Sequence, residues 1–268
     1  MKKKDIIKMK KEIDIFFTAI MFYTRIPCPK NITHDPDYLN KSTRYFPLIG
    51  WIVGLISGIV FIAFSQILPV TIAVLLSMIA SVLTTGAFHE DGFADVCDGF
   101  GGGWTKEKIL KIMKDSAIGA YGAIGILLLL VLKYSILVEI LSVQSNTVSI
   151  ILIFIAAHAV SRWAAATIIF THVYVREDEW SKSKPIAKQY TWKEVVGTAL
   201  FGLLPLLYFV FYAYKIALVL LPVFIFRWYL ARYFKKWIGG YTGDCLGATQ
   251  QVCEVVFYIS MLALWKFI

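Results

Sequence analysis

The run His89-Glu90-Asp91-Gly92-Phe93-Ala94-Asp95-Val96-Cys97-Asp98-Gly99 sets four acids and a histidine within ten residues of a chain that is only 17% charged. On a helix, Asp91, Asp95 and Asp98 stand at i, i+4 and i+7 and form one narrow stripe. Three carboxylates so aligned repel one another unless a cation holds them. Hard oxygen donors of this kind suit Mg²⁺, which takes a few carboxylates and completes its shell with water and substrate phosphate. The alternative is a solvated helix face neutralised by lysines. Against it, Phe93, Ala94 and Val96 interleave the acids with apolar residues. His89, just ahead of the stripe, can take a proton from an attacking hydroxyl or hold a phosphate, or it can be a satisfied structural residue. Glu90 points about 100° away from Asp91 on a helix and need not join the site.

Other residues extend this chemistry. Gly99 and Gly101-Gly102-Gly103 free the backbone to offer N–H groups to phosphate, or simply make a turn. Thr105 starts a short amphipathic helix ending near Lys111 and Lys114, which can pair with phosphates or remain solvated. Asp115 adds a ligand or holds a lysine. Arg162, in Ser161-Arg162-Trp163, lies inside an apolar span, where a charge is a functional-site candidate. Lys133 and Glu139 are candidate partners of each other. Gly239 to Ala248, with Gly243 and Asp244 at its centre, reads as a second phosphate or metal loop, or as an ordinary turn. His89-Glu90 is no zinc-protease motif, because Phe93 stands where the second histidine belongs.

These groups need elements to position them, and composition says which kind. Hydrophobic residues make up 58% of the 268, and mean hydropathy is +0.68. An all-α integral membrane protein is expected, a polytopic bundle of about seven spans (six to eight) in a single domain, 1–268. The spans fall near 46–66, 69–88, 118–141, 148–171, 195–213, 215–231 and 252–268. Gly50, Gly54 and Gly58, like Gly119, Gly122 and Gly125, form series that let helices approach closely. The apolar run from Ile13 to Tyr23 is too short to span, contains Asp14 and lacks a cleavage site, so an interfacial or re-entrant helix is expected rather than a signal peptide. The 27 Lys+Arg against 18 Asp+Glu are read by location, with no nucleic acid implied. Ten fall within 1–45, four within 89–117, five within 172–194 and four within 227–251. Seven spans put all four segments on one side, the cytosolic one, together with the stripe. Cys28, Cys97, Cys245 and Cys253 show no metal-like spacing and read as thiols.

The chain closely resembles the adenosylcobinamide-GDP ribazoletransferase (cobalamin 5′-phosphate synthase, CobS) family. Phe22-Tyr23-Thr24-Arg25-Ile26-Pro27, Tyr45 to Gly50, His89 to Gly99, Ile112 to Gly122, Ser161-Arg162-Trp163 and Gly239 to Ala248 carry the resemblance in order. The acidic block meets every fixed position of the family pattern. The resemblance implies a Mg²⁺-dependent enzyme of the prokaryotic cytoplasmic membrane that joins adenosylcobinamide-GDP to α-ribazole or its 5′-phosphate and releases GMP. On that reading Asp91, Asp95 and Asp98 hold metal, and His89 or an aspartate serves as base. Lys114, Asp115, Arg162, Gly243 and Asp244 meet the substrate, and homo-oligomerisation stays open. Two other Mg²⁺ enzymes are weighed. A CDP-alcohol phosphotransferase expects Asp-Gly-x-x-Ala-Arg, and a prenyltransferase expects Asp-Asp-x-x-Asp. A transporter with Arg162, Glu139 and Glu254 along its path is the reading from another class.

Overall fold

A computed structural model describes residues 3–33, 35–176 and 190–265. Lys182, Lys184 and Lys188 of the expected basic loop, and the last three residues of the final expected span, lie outside these. The described chain folds as α1 (Lys3–Tyr23), α2 (Pro36–Ser42), α3 (Phe46–Ser65), α4 (Val70–Thr85), α5 (Phe88–Gly102), α6 (Lys106–Ile112) and α7 (Ala120–Val143). It continues with α8 (Thr147–Ile169), α9 (Trp192–Tyr212), α10 (Leu220–Ile238) and α11 (Gly243–Trp265). Among the described residues there is no strand, only an isolated parallel bridge between Tyr174 and Tyr241.

Six helical stretches are long and apolar enough to cross a membrane, and the count rises to seven if α4 and α5, bent by 88° at the break between them, are taken as one span. The expected polytopic bundle is therefore present; α1 is not among the six. α8 and α11 form its axis, with 72% and 83% of their spanning windows buried, against 22 to 39% for the others. The outer helices leave Leu127, Leu128, Leu207 and Leu221 exposed, as side chains facing lipid do.

Close approach is set by the glycines. A Cβ on Gly50 would lie 2.5 Å from the His158 carbonyl oxygen, and one on Gly54 2.6 Å from the Ile155 Cα. On Gly58 the nearest atom, the Ile151 Cα, would be 3.2 Å away. The first glycine series thus seats α3 directly on the α8 backbone, as the spacing predicts. The second seats the start of α7 on α5, with Gly119 and Gly122 against Asp98 and Gly125 against Cys97.

α4 ends at a corner where Gly86 (φ 66°) and Ala87 (φ 58°) both adopt the left-handed conformation. Their N–H groups return to the Leu83 and Val82 carbonyls, a helix-terminating arrangement. α5 leaves this corner nearly perpendicular to α4, so we read it as lying along the membrane plane, outside the spans.

One expected boundary is displaced. α11 begins at Gly243, about nine residues ahead of the apolar run that marked it. Gln250, Gln251 and Glu254 are therefore inside a helix, each buried against protein. Hydropathy leaves Gln250 and Gln251 ahead of the span because it prices them against lipid, which they do not meet. All four cysteines are unpaired, as expected.

Substituting Gly50 or Gly54 by Ala forces α3 off the α8 backbone, an overpacking cost of about 1–3 kcal/mol. Thermal unfolding in detergent should fall for both and less for Gly58→Ala; equal melting for all three would contradict this packing.

Candidate active site

α5 carries the acidic stripe as a helix, so Asp91, Asp95 and Asp98 share one side. Their environments differ. Asp91 is exposed, Asp95 half-buried and Asp98 buried at 8% exposure. Asp98 accepts N–H bonds from Gly119 (2.7 Å) and Gly122 (2.8 Å), one on each carboxylate oxygen. It thereby supplies the charge that the N-terminus of α7 attracts and satisfies two of that helix's free donors. A side chain on Gly122 would collide with this carboxylate, which explains the glycine.

A fourth carboxylate joins the stripe from the other end of the sequence. Gly92 packs on the Asp244 backbone, where a Cβ would lie 3.0 Å from its Cα, and Gly247 packs on His89, 3.1 Å from its carbonyl oxygen. This glycine-lined crossing of α5 and α11 lays Asp244 beside Asp91 and Asp95. Thr242 fixes the start of α11, its Oγ1 accepting from the Cys245 N–H and donating to Asp244. A Cβ on Gly243 would meet nothing within 4 Å, so the backbone here is open.

Arg176 faces this group. It pairs with Asp244 at 2.8 Å and donates to the Met113 carbonyl at 3.0 Å. Its segment is pinned by Val175 N–H to Tyr241 O (3.0 Å) and Tyr241 N–H to Val173 O (2.9 Å). Sequence reading counted Arg176 only as loop charge. Nothing local marks it, because its role appears only once Tyr174 and Tyr241 are paired.

Burial, then Asp244 and Asp91, push the Asp95 carboxyl up to about 7, while Arg176 pulls it down. The donor set is all hard oxygen and short of positive charge, which fits a divalent cation in kind. Among the described residues no three His, Cys, Asp or Glu side chains already converge on one point.

Several sequence expectations resolve differently. His89 is 1% exposed, stacked on Phe46 (5.8 Å between centroids) and edge-on to Phe88 (5.3 Å). It lies about 200° around α5 from Asp91, so it does not join the aspartates. Arg162 is likewise buried, donating to the His158 carbonyl at 3.0 Å and lying over the Phe46 ring. It faces the bundle interior, where the charges of Glu254 and Glu90 act on it electrostatically without a direct bond to either among the described residues. Lys133 pairs with Glu254, not Glu139. Glu139 is exposed, so the path imagined for a transporter does not form. Gly99 and Gly103 admit Met113 and Ile109, and Gly101 admits the Tyr121 ring. They are packing positions in and just beyond α5, not a phosphate loop. Lys114 and Asp115 are exposed at the rim beside Met113, and Asp115 accepts from the Ala117 N–H.

Beneath the stripe runs a buried polar chain that sequence reading saw only in pieces. Glu254 meets Lys133, His158 (3.1 Å) and Gln250 (2.6 Å). Gln250 also donates to Ser161 at 3.1 Å. Gln251 donates to the Gln250 oxygen (3.0 Å) and to Glu90 (2.9 Å). Glu90 does point away from the aspartates, as its helix position requires, but it belongs to this network. The signal was present in Gln250, Gln251 and Glu254 as polar residues at the edge of an apolar run.

Fold and site define a class: a polytopic helical membrane protein with a carboxylate-lined surface site built where a short helix crosses the start of its last span. A family model, CobS, cobalamin-5-phosphate synthase, matches residues 15–262. The adenosylcobinamide-GDP ribazoletransferase of Shewanella sp. (strain W3-18-1) is 50% identical over 94% of this chain and 95% of its own. The protein of that name from Shewanella amazonensis (strain ATCC BAA-1098 / SB2B) is 46% identical over 96% and 98%. No solved structure matches. The chain belongs to the cobalamin-5-phosphate synthase family.

Titrating the metal-free protein should reveal one carboxyl with a midpoint near 7 that vanishes in Asp95→Asn. Asp244→Asn should lower that midpoint by removing repulsion, and Arg176→Gln should raise it. Because this pKa lies above the unfolded value, metal-free stability should fall as pH rises toward and through 7. Carboxylate-resolved NMR would read all three midpoints, and an unshifted midpoint in Asp244→Asn would refute the cluster.

Proposed function

We propose that this chain joins adenosylcobinamide-GDP to α-ribazole, or to its 5′-phosphate, releasing GMP and yielding adenosylcobalamin or its 5′-phosphate. The observation that carries this reading is near-full-length identity to proteins of that name at about half of all positions. The carboxylate site at the crossing of α5 and α11 supports it chemically.

In this reaction a ribose hydroxyl attacks the phosphorus nearer cobinamide. The new O–P bond forms as the bond to the GMP phosphate breaks, and GMP leaves with the displaced charge. Mg²⁺ suits Asp91 and Asp95, with Asp98 adding lone pairs beyond those its two amide bonds use, and it would offset charge on the diphosphate and leaving group. The chain's own groups do the rest. An aspartate of the stripe takes the hydroxyl proton, since His89 is walled off by Phe46 and Phe88. The open backbone at Gly243 and the start of α11 meet phosphate oxygens, as helix N-termini do. Asp244 keeps Arg176 aimed at the same point, with Lys114 and Asp115 at the rim. Arg162 supports the site from the bundle interior.

The stripe faces the cytosol on this reading. α3, α7, α9 and α11 begin, and α4, α8 and α10 end, on the side that carries the lysine- and arginine-rich segments. Nucleotide-bearing substrate and Mg²⁺ are both available there.

Purified protein supplied with both substrates and Mg²⁺ should release GMP and form the joined corrinoid, identified by mass. Asp91→Asn and Asp95→Asn should each lower kcat by about 100-fold or more, the scale of losing one charge-stabilising group. Asp98→Asn should lower kcat and also melting temperature, because it loosens the start of α7. Wild-type rates in all three variants would sink the assignment of the stripe.

A further inference from the structure

α5 touches α11 in two different ways. The glycine contacts, Gly92 on Asp244 and Gly247 on His89, bring the backbones together but leave α5 free to roll about its axis, since smooth surfaces have no preferred angle. Directional bonds fix the roll at both ends of α5. Toward its C-terminus Asp98 sits on the α7 amides. At the end that carries Asp91 it is the bond from Gln251 Nε2 to Glu90 Oε1, 2.9 Å long and between residues 2% and 7% exposed. Glu90 lies about 80–140° around the helix from the three aspartates, so its direction dictates theirs.

The bond is not isolated. An amide NH₂ has two hydrogens, and both glutamines use both. Gln251 donates to Glu90 and Gln250, and Gln250 donates to Glu254 and Ser161. Turning Gln251 over would set its oxygen against the Glu90 and Gln250 oxygens, and turning Gln250 over would set its oxygen against Glu254 and its NH₂ against that of Gln251. The orientation is therefore locked from Glu90 on α5 through α11 to the Lys133–Glu254 pair on α7. The charges also balance: Lys133 and Arg162 against Glu254 and Glu90.

We infer that Glu90 and Gln251 are positioning residues, which hang the aspartate helix on the buried charge network and so set Asp91 and Asp95 against Asp244. This rests on the stripe being the reacting site. It assigns a role to the one acid of the motif that the chemistry itself does not use.

The test uses the full-length protein in detergent, with Mn²⁺ as probe of the stripe by paramagnetic resonance and hydrogen exchange of the α5 amides as a metal-free readout. Gln251→Glu sets two carboxylates face to face. It should weaken Mn²⁺ binding by about 10–100-fold, the usual effect of losing a group that orients a ligand, and should speed α5 exchange. Adding Glu90→Gln restores a donor opposite a carboxylate, so E90Q/Q251E should recover most of both losses, which a merely destabilising change would not. If Gln251→Glu fails to fold, Gln251→Met removes the tie without adding charge and should show the same two losses. Wild-type affinity and exchange in either single variant, or a double variant no better than Gln251→Glu, would overturn the inference. Wild-type protein that binds no Mn²⁺ would refute the metal reading instead, and α5 exchange alone would then decide this one.

Discussion

Glu254 is fully buried at the centre of the bundle, in contact with Lys133 and His158 and bonded to Gln250. A lone charge in that position would cost several kcal/mol, and removing one member of a buried ion pair typically costs about 3–5. The network is therefore stable only when complete, and completing it requires α7, α8 and α11 to meet at one depth and rotation. Apolar packing within a membrane cannot impose this, because lipid tails solvate leucine as well as another helix does. The glycines of α3 add closeness against α8, and the polar chain adds register.

That constraint reaches the surface through α5. The helix has two kinds of acid on two sides. Glu90 is turned inward and tied to the charge network. Asp91 and Asp95 are turned toward Asp244, and burial first, then the like charges of Asp244 and Asp91, push the Asp95 carboxyl up to about 7. Asp98, at the inner end, is held by the α7 amides. A repelling cluster of carboxylates is unfavourable by itself and persists only where the surroundings over-determine it. Here those surroundings are the glycine-lined crossing on one side and the Glu90–Gln251 bond on the other.

What could be read from the sequence divides along the same line. Local periodicity was legible: the spans, the helical stripe, the Thr105 start of α6, whose hydroxyl accepts from the Lys108 N–H, and both glycine series. Pairings between distant segments were not. Lys133 was matched to Glu139 because the two are six residues apart, whereas its partner is 121 positions away. Arg162 looked like a phosphate ligand because charge inside a span signals function, and the sequence does not say that Glu254 answers it. The glycines after the stripe looked like a phosphate cradle because glycine permits both open backbone and close packing. Only Met113, Ile109 and Tyr121, arriving from the following segment, decide between them.

The start of α11 shows why these misreadings share one cause. Gln250 and Gln251 fall outside the expected last span because a hydropathy window treats every residue as facing lipid. In a bundle whose axial helices are mostly buried, the relevant surroundings are other side chains, and a polar residue there is favourable when each donor finds an acceptor. The same residues that blur the span boundary are thus the ones that aim the site. A Gln-Gln-x-x-Glu step inside an apolar run is better read as the inner face of a central helix than as its end. In this chain that reading places Asp244 on the first turn of α11.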